Sequence, residues 1–273
     1  MKVIYILGLG HSGTTLLSRM LGTHSAIVAG GGSKNVPLFL RGEKDCACGA
    51  TCLAECDFWQ RVDEELRQRG TALDKLDFGY GKQSDPFLVR AYYESIGAAA
   101  GASAVVDTAR RVSYLRSLEH VDGIELIPVH IFKDPRAQAA SSKRKGATVF
   151  NGIWNYANRS RRVLDLDDKG HDITHIAYED LCTRPQEQLQ RVLDRVGLEV
   201  ESAQYEAIGS RENHVLGGNR QLRGEAVKIR LDESWRQRLS KTEKTLVRLA
   251  NRGIWTRNMR AAGHDKPTMS SDD

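Results

Sequence analysis

The first fifteen residues constrain this chain more than any other stretch. Residues 2–7, Lys-Val-Ile-Tyr-Ile-Leu, form a short β-branched and aromatic run that ends in Gly8-Leu9-Gly10-His11-Ser12-Gly13. Leu16, Leu17, Met20 and Leu21 then recur at helical spacing. Strand, glycine loop and helix follow one another, and Gly8 and Gly13 stand at the G-x-x-x-x-G spacing of a phosphate-binding loop. Successive backbone N–H groups and the positive end of a helix dipole can surround an anion there, and glycine lets the backbone approach it. A Walker A loop continues G-K-[ST], whereas Thr14 occupies the lysine position. A triphosphate would lack its compensating charge, which disfavours a kinase or NTPase. An ordinary strand-to-helix turn is the plainer alternative.

The rest of the pattern alternates. Apolar spacing predicts a helix from Phe58, with Trp59, Val62 and Leu66 on one face, and another from Pro86 through Leu88, Tyr92 and Ile96 to Ala100. Strands at 104–106, 125–132 and 172–177 interleave with helices at 110–118, from Asp134-Pro135 onward, at 151–167 and at 184–196, the last capped by Gly197. Gly30-Gly31-Gly32 interrupts the chain and opens an irregular segment reaching about Asp57. Such alternation implies βαβ units, and hence an α/β three-layer fold with a central parallel sheet and a P-loop-like phosphate-binding loop. With no internal repeat and no Pro-, Gly- or Ser-rich linker, the expectation is one domain over residues 1–262, with a Cys-rich insert at about 43–59 and a polar tail at 263–273.

Composition narrows the setting. The 273 residues carry 40 Lys+Arg against 35 Asp+Glu, a formal net charge of +5, and 40% are apolar, which suits a globular chain with a sizeable core. Apolar runs such as residues 3–7 fall far short of the ~20 residues that span a bilayer, and no small-residue cleavage site follows a basic start. Neither a transmembrane segment nor a secretory signal is expected. Four of the five cysteines fall between positions 46 and 56, unlike a disulfide framework, so a reducing cytoplasm is the expected compartment. Lys133, Arg136, Lys143, Arg144 and Lys145 face only Asp134 within 133–145, and thirteen basic residues face five acidic ones within 211–260. Solvated helix faces, a nucleotide or nucleic acid would each account for that charge.

Two motifs then carry a resemblance. Gly10-His11-Ser12-Gly13-Thr14-Thr15 resembles the 5′-phosphosulfate loop of sulfotransferases that use 3′-phosphoadenosine 5′-phosphosulfate (PAPS), usually [KR]-S-G-T-[ST]. Lys133-Asp134-Pro135-Arg136-Ala137-Gln138-Ala139-Ala140-Ser141 is similar to that family's R-D-P-R-A-x-x-x-S, whose first basic residue and final serine bind the 3′-phosphate. The residues alone agree, since a basic side chain at a strand end and a serine one to two turns into the next helix can converge on one anion; a capped surface helix is the alternative. Tyr178-Glu179-Asp180-Leu181 looks like the family's Y-E-D-L, where the tyrosine lies near the adenine. Residues 105–110, Val-Val-Asp-Thr-Ala-Arg, resemble a V-D-S-S-K segment of bacterial relatives, with Arg110 in place of lysine. Residues 214–223 resemble their G-N-x-x-R segment before a tryptophan, here Trp235.

The resemblance implies an enzyme moving a sulfo group from PAPS to a hydroxyl or amine of a small-molecule, glycan or lipid acceptor, with no nucleic-acid partner. It places Gly10, His11, Ser12, Gly13, Thr14, Thr15, Lys133, Ser141, Tyr178, Arg220 and Arg223 at the cofactor, and gives His11 and Arg110 catalytic roles. A P-loop kinase-like phosphotransferase and a noncatalytic nucleotide-binding protein are the rivals. Two departures stand out: His11 replaces the usual Lys or Arg, and residues 29–34 carry no carboxylate where many relatives have a Glu base. Separately, Cys46, Cys48, Cys52 and Cys56 could close a tetrahedral zinc site. Packed free thiols or one disulfide account for the same spacing.

Overall fold

The computed structural model describes residues 1–76, 78, 85–208, 213–217, 228–267 and 269. Five strands, β1 (Lys2–Gly8), β2 (Ile27–Gly31), β3 (Ala104–Asp107), β4 (Glu125–Phe132) and β5 (Thr174–Ala177), lie in one sheet in the order β2-β3-β1-β4-β5. Pairing is parallel between β1 and β3, β2 and β3, and β4 and β5. With helices flanking the sheet, this is the α/β architecture that the alternating pattern implies. Two compact units interleave along the chain. Met1–Leu7, Thr15–Pro128 and Leu189–Lys228 make the first; Gly8–Thr14, Val129–Gln188 and Ile229–Asp273 make the second.

In the first unit, β1 is a nearly continuous buried run, as a central parallel strand must be. The second strand corrects the sequence reading. Ile27–Gly31 pairs with β3 instead of opening an irregular segment, with a register shift between Ala29 and Gly31. Its Ala-Gly-Gly stretch carries no β-branched signal, yet small residues let it lie close to the Thr14–Thr23 helix, where a Cβ on Gly22 would meet Ala29 Cβ at 2.7 Å. The helix expected at 110–118 begins only at Val112, because Arg110 takes a left-handed φ of 63° and Arg111 is extended.

Capping organises the second unit. Asp134 accepts from Arg136 N at the start of the Pro135–Lys143 helix, and Thr148 accepts from Asn151 N to start the Val149–Asp167 helix two residues earlier than expected. Ser240 and Glu243 form a capping box that starts the Lys241–Ala261 helix, an element whose basic, weakly periodic sequence concealed it. Ala137, Ala139, Ala140, Val149, Trp235, Leu239 and Val247 form one of this unit's cores. His264 bonds Asp180 at 2.6 Å, which ties down the start of the polar tail.

Candidate active site

The loop after β1 is shaped by its own backbone. Gly8, His11 and Gly13 have φ of 150°, 71° and 99°, and the non-glycine His11 stays left-handed at an energetic cost. Gly13 has no alternative: a Cβ there would meet Tyr178 Cδ2 at 2.7 Å and Ile131 Cδ1 at 3.0 Å. Ser12 Oγ and Ser12 N both donate to Leu9 O, at 2.9 and 3.3 Å, so its hydroxyl and amide close the turn. Anion-binding capacity therefore rests with the next N–H groups, those of Gly13, Thr14 and Thr15, where the Thr14–Thr23 helix starts and intrahelical acceptors are lacking. Gln138 Nε2 donates to Gly10 O at 2.8 Å, fastening the loop to the Pro135–Lys143 helix.

Two cations three positions apart are treated differently. Arg136 is 1% exposed, its Nε and Nη2 lie 3.0 and 2.7 Å from the Asp134 carboxylate, and its guanidinium stands 4.2 Å from the Trp235 ring centre. It is a structural clamp. Lys133 is 5% exposed, yet Nζ donates only to Ser141 Oγ at 3.2 Å and makes no ion pair among the described residues. Burial depresses its pKa, and the more distant charges of Asp232 and Glu179 oppose that shift only in part. A buried ammonium facing a hydroxyl is an incomplete site, which an anion would complete.

Glu179 accepts Asp134 N–H at 2.9 Å, and burial raises its pKa to about 7. Tyr178 packs on Gly13, holds its ring 6.0 Å from Lys133 Nζ, and donates its hydroxyl to Arg230 O at 3.1 Å. The second unit thus brings Gly10, His11, Ser12, Gly13, Thr14, Lys133, Ser141 and Tyr178 into one body. Arg220 and Arg223 lie outside the described residues.

The sulfotransferase family profile matches residues 3–202. The chain belongs to the sulfotransferase family. Its fold resembles the sulfotransferase domain from the Synechococcus PCC 7002 olefin synthase, with a TM-score of 0.54 at 16% identity over 98% of this chain and 96% of that one. A sulfotransferase domain from the curacin biosynthetic pathway gives 0.52 at 14% identity over 91% and 97%. No curated protein matches significantly.

The first unit of this sulfotransferase holds the remaining candidates. Asp107 is buried and accepts from Tyr93 Oη at 2.8 Å, Ala109 N at 2.5 Å and Ser33 N at 3.3 Å. Those bonds, with Tyr5 Oη accepting from Arg111 N at 2.9 Å, fix the turn that presents Arg110. A cavity of about 220 Å³ in this unit, lined by Arg19, Thr23, Val28, Phe58, Arg61 and His214 among others, includes no residue of the glycine loop. Among the described residues no helix is long and apolar enough to cross a membrane.

The cysteine segment departs from expectation. Cys46, Cys48 and Cys56 converge, but their fourth neighbour is His214, not Cys52. Cys52 instead precedes the Leu53–Glu55 turn, where its polar groups face the Glu55 carboxylate. The cysteine spacing held no signal for His214, which lies 158 residues beyond Cys56.

Proposed function

We propose that this sulfotransferase draws its sulfo group from PAPS and delivers it to a hydroxyl or amine of a small-molecule, glycan or lipid acceptor. The buried Lys133 ammonium supports this reading most directly, because among the described residues its one hydrogen-bond partner is the Ser141 hydroxyl and it makes no ion pair. That pair suits a phosphate that 5′-nucleotides lack, and the absence of a Cβ at Gly13 lets the Tyr178 ring pack directly on the loop. PAPS, when bound, supplies an activated sulfo group whose departure places negative charge on its 5′-phosphate oxygen.

The residues then have distinct tasks. His11 and the N–H groups of Gly13, Thr14 and Thr15 hold the charge that grows on the leaving oxygen, with Arg110 as a second cation for the transferring group. Lys133 and Ser141, with Arg220 and Arg223, hold the 3′-phosphate, while the Tyr178 ring flanks the adenine. Fixing both phosphates aligns the sulfur for in-line attack, so positioning and charge stabilisation supply most of the rate. This assignment makes no use of a metal.

Thermal shifts test the donor. Adenosine 3′,5′-bisphosphate should stabilise the protein far more than adenosine 5′-monophosphate, by roughly 1.5 to 3 kcal/mol for each charged hydrogen bond, and Lys133→Ala should erase most of that preference. Equal shifts for the two nucleotides in the unaltered protein would overturn the donor assignment. Mass spectrometry of cell extract incubated with protein and PAPS should then reveal an acceptor heavier by one sulfo group.

A further inference from the structure

Four potential ligand atoms meet in the first unit, close enough to share one ion. Cys56 Sγ lies 3.8 Å from Cys46 Sγ, 3.8 Å from Cys48 Sγ and 3.4 Å from His214 Nδ1, and Cys46 Sγ lies 3.9 Å from the same nitrogen. All four atoms fall within 4.8 Å of one another. With Zn–S near ~2.3 Å and Zn–N near ~2.0 Å, a regular tetrahedron has S···S edges of about 3.8 Å and S···N edges of about 3.5 Å. The sulfurs are far too distant for a disulfide, whose S–S length is about 2.05 Å.

The surroundings prepare each ligand. Gly49 N donates to Cys46 O at 3.1 Å and Cys46 N to Ala50 O at 2.8 Å, a tight turn that aims Cys46 and Cys48 at one point. Cys56 occupies the N-cap of the Asp57–Gln68 helix, where the dipole favours a thiolate. The His214 ring stacks on Phe58 at 4.8 Å, and its carbonyl accepts from Trp59 Nε1 at 2.9 Å, which orients the imidazole from behind. Hydrophobic packing alone would not require three thiols and a ring nitrogen to share one centre.

We infer that Cys46, Cys48, Cys56 and His214 bind one structural zinc ion. Three thiols release their protons to solvent as they coordinate, His214 contributes a neutral Nδ1 lone pair, and the closed site carries one net negative charge. Zinc cross-links the cysteine turn to residues 213–217, where Ala47 N donates to Val215 O and Leu216 bridges to both Gly31 and Cys46. The metal thereby anchors residues 213–217 to the cysteine turn.

Metal content tests this without any reaction or nucleotide. Protein purified without added zinc should contain about one zinc per chain by elemental analysis, and chelation should lower its melting temperature. Cys56→Ser and His214→Ala should lose the metal, while Cys52→Ser should keep it. If either loss variant fails to fold, His214→Cys, which preserves four ligands, should retain zinc, and cobalt substitution should give thiolate charge-transfer bands that change with that replacement. Metal-free protein in which all five thiols titrate freely overturns the inference, as does zinc lost in Cys52→Ser but kept in His214→Ala.

Discussion

Lys133 and the Cys46–His214 cluster are opposite versions of one physical problem. Around Lys133 a positive charge is buried against a hydroxyl, without an ionic partner among the described residues. Around Cys56, three sulfurs and an imidazole crowd one point and await a positive charge. Each arrangement costs free energy until an ion of the missing sign arrives, so each names its ligand by sign and geometry. Arg136 serves as the control. It is as buried as Lys133, but Asp134 and Trp235 complete it from within the chain. Incompleteness, rather than burial, distinguishes a ligand-binding charge from a structural one.

Ordered by expected change in unfolding free energy, the sharpest break of this comparison is Arg136→Ala. It leaves the Asp134 carboxylate with the backbone N–H of residue 136 but no countercharge from the guanidinium and strips a face of Trp235, and should cost roughly 3 to 5 kcal/mol in urea denaturation. The preference for adenosine 3′,5′-bisphosphate over the monophosphate should survive in the molecules that remain folded. Loss of that preference would move Arg136 into the binding site.

Glu179 comes next and acts through pH. Its folded pKa is raised from 4.5 to about 7, so the folded chain holds a proton that the unfolded chain has released across that window. Stability contributed by the proton is present at low pH and lost as pH rises toward 7. Glu179→Gln keeps an oxygen for Asp134 N–H and removes the ionisation. It should therefore be more stable than the parent above about pH 7, by up to about 3 kcal/mol, and similar to it below about pH 4. Parallel stability curves at every pH would show that burial does not hold the proton.

Lys133→Met should show the opposite balance to Arg136→Ala. Replacing a buried ammonium that has no ion pair among the described residues by an apolar chain of similar length should leave ligand-free stability unchanged or raise it by about 1 kcal/mol. The same variant should lose the 3′-phosphate preference. A protein destabilised as severely as Arg136→Ala would mean that Lys133 holds the fold together.

How much of this was legible in the sequence follows from how local each signal is. The loop, β4 and the cap at Asp134 are contiguous patterns, and Lys133 and Ser141 meet because the helix between them has a fixed pitch. β2 was missed because Ala29, Gly30 and Gly31 derive their strand character from β3 and a neighbouring helix, not from propensity. The thiol–imidazole cluster was half legible. A short spacing brings Cys46, Cys48 and Cys56 together, but only the folded chain returns His214 to them and turns Cys52 aside. The left-handed conformations of His11 and Arg110 had no sequence signal, since neither residue type demands one.

The smallest expected effect on stability concerns His11. Its φ of 71° is one that a side chain adopts at a cost of roughly 1 to 2 kcal/mol and that glycine adopts freely, although glycine adds entropy to the unfolded chain. His11→Gly should therefore stabilise the protein by only about 0.5 kcal/mol, the residue left when those terms oppose. If the imidazole serves the leaving oxygen, the same change should lower kcat by roughly 10² to 10³, the usual loss for one transition-state donor. An imidazole acts there only when protonated, so turnover of the parent should fall as pH rises through the pKa of the bound complex, whereas His11→Arg should keep activity and flatten that alkaline limb. A base that accepts the acceptor's proton would produce an acidic limb instead, which keeps the two titrations separable. Full turnover by His11→Gly would break the assignment and move the leaving-group charge to the loop amides and Arg110.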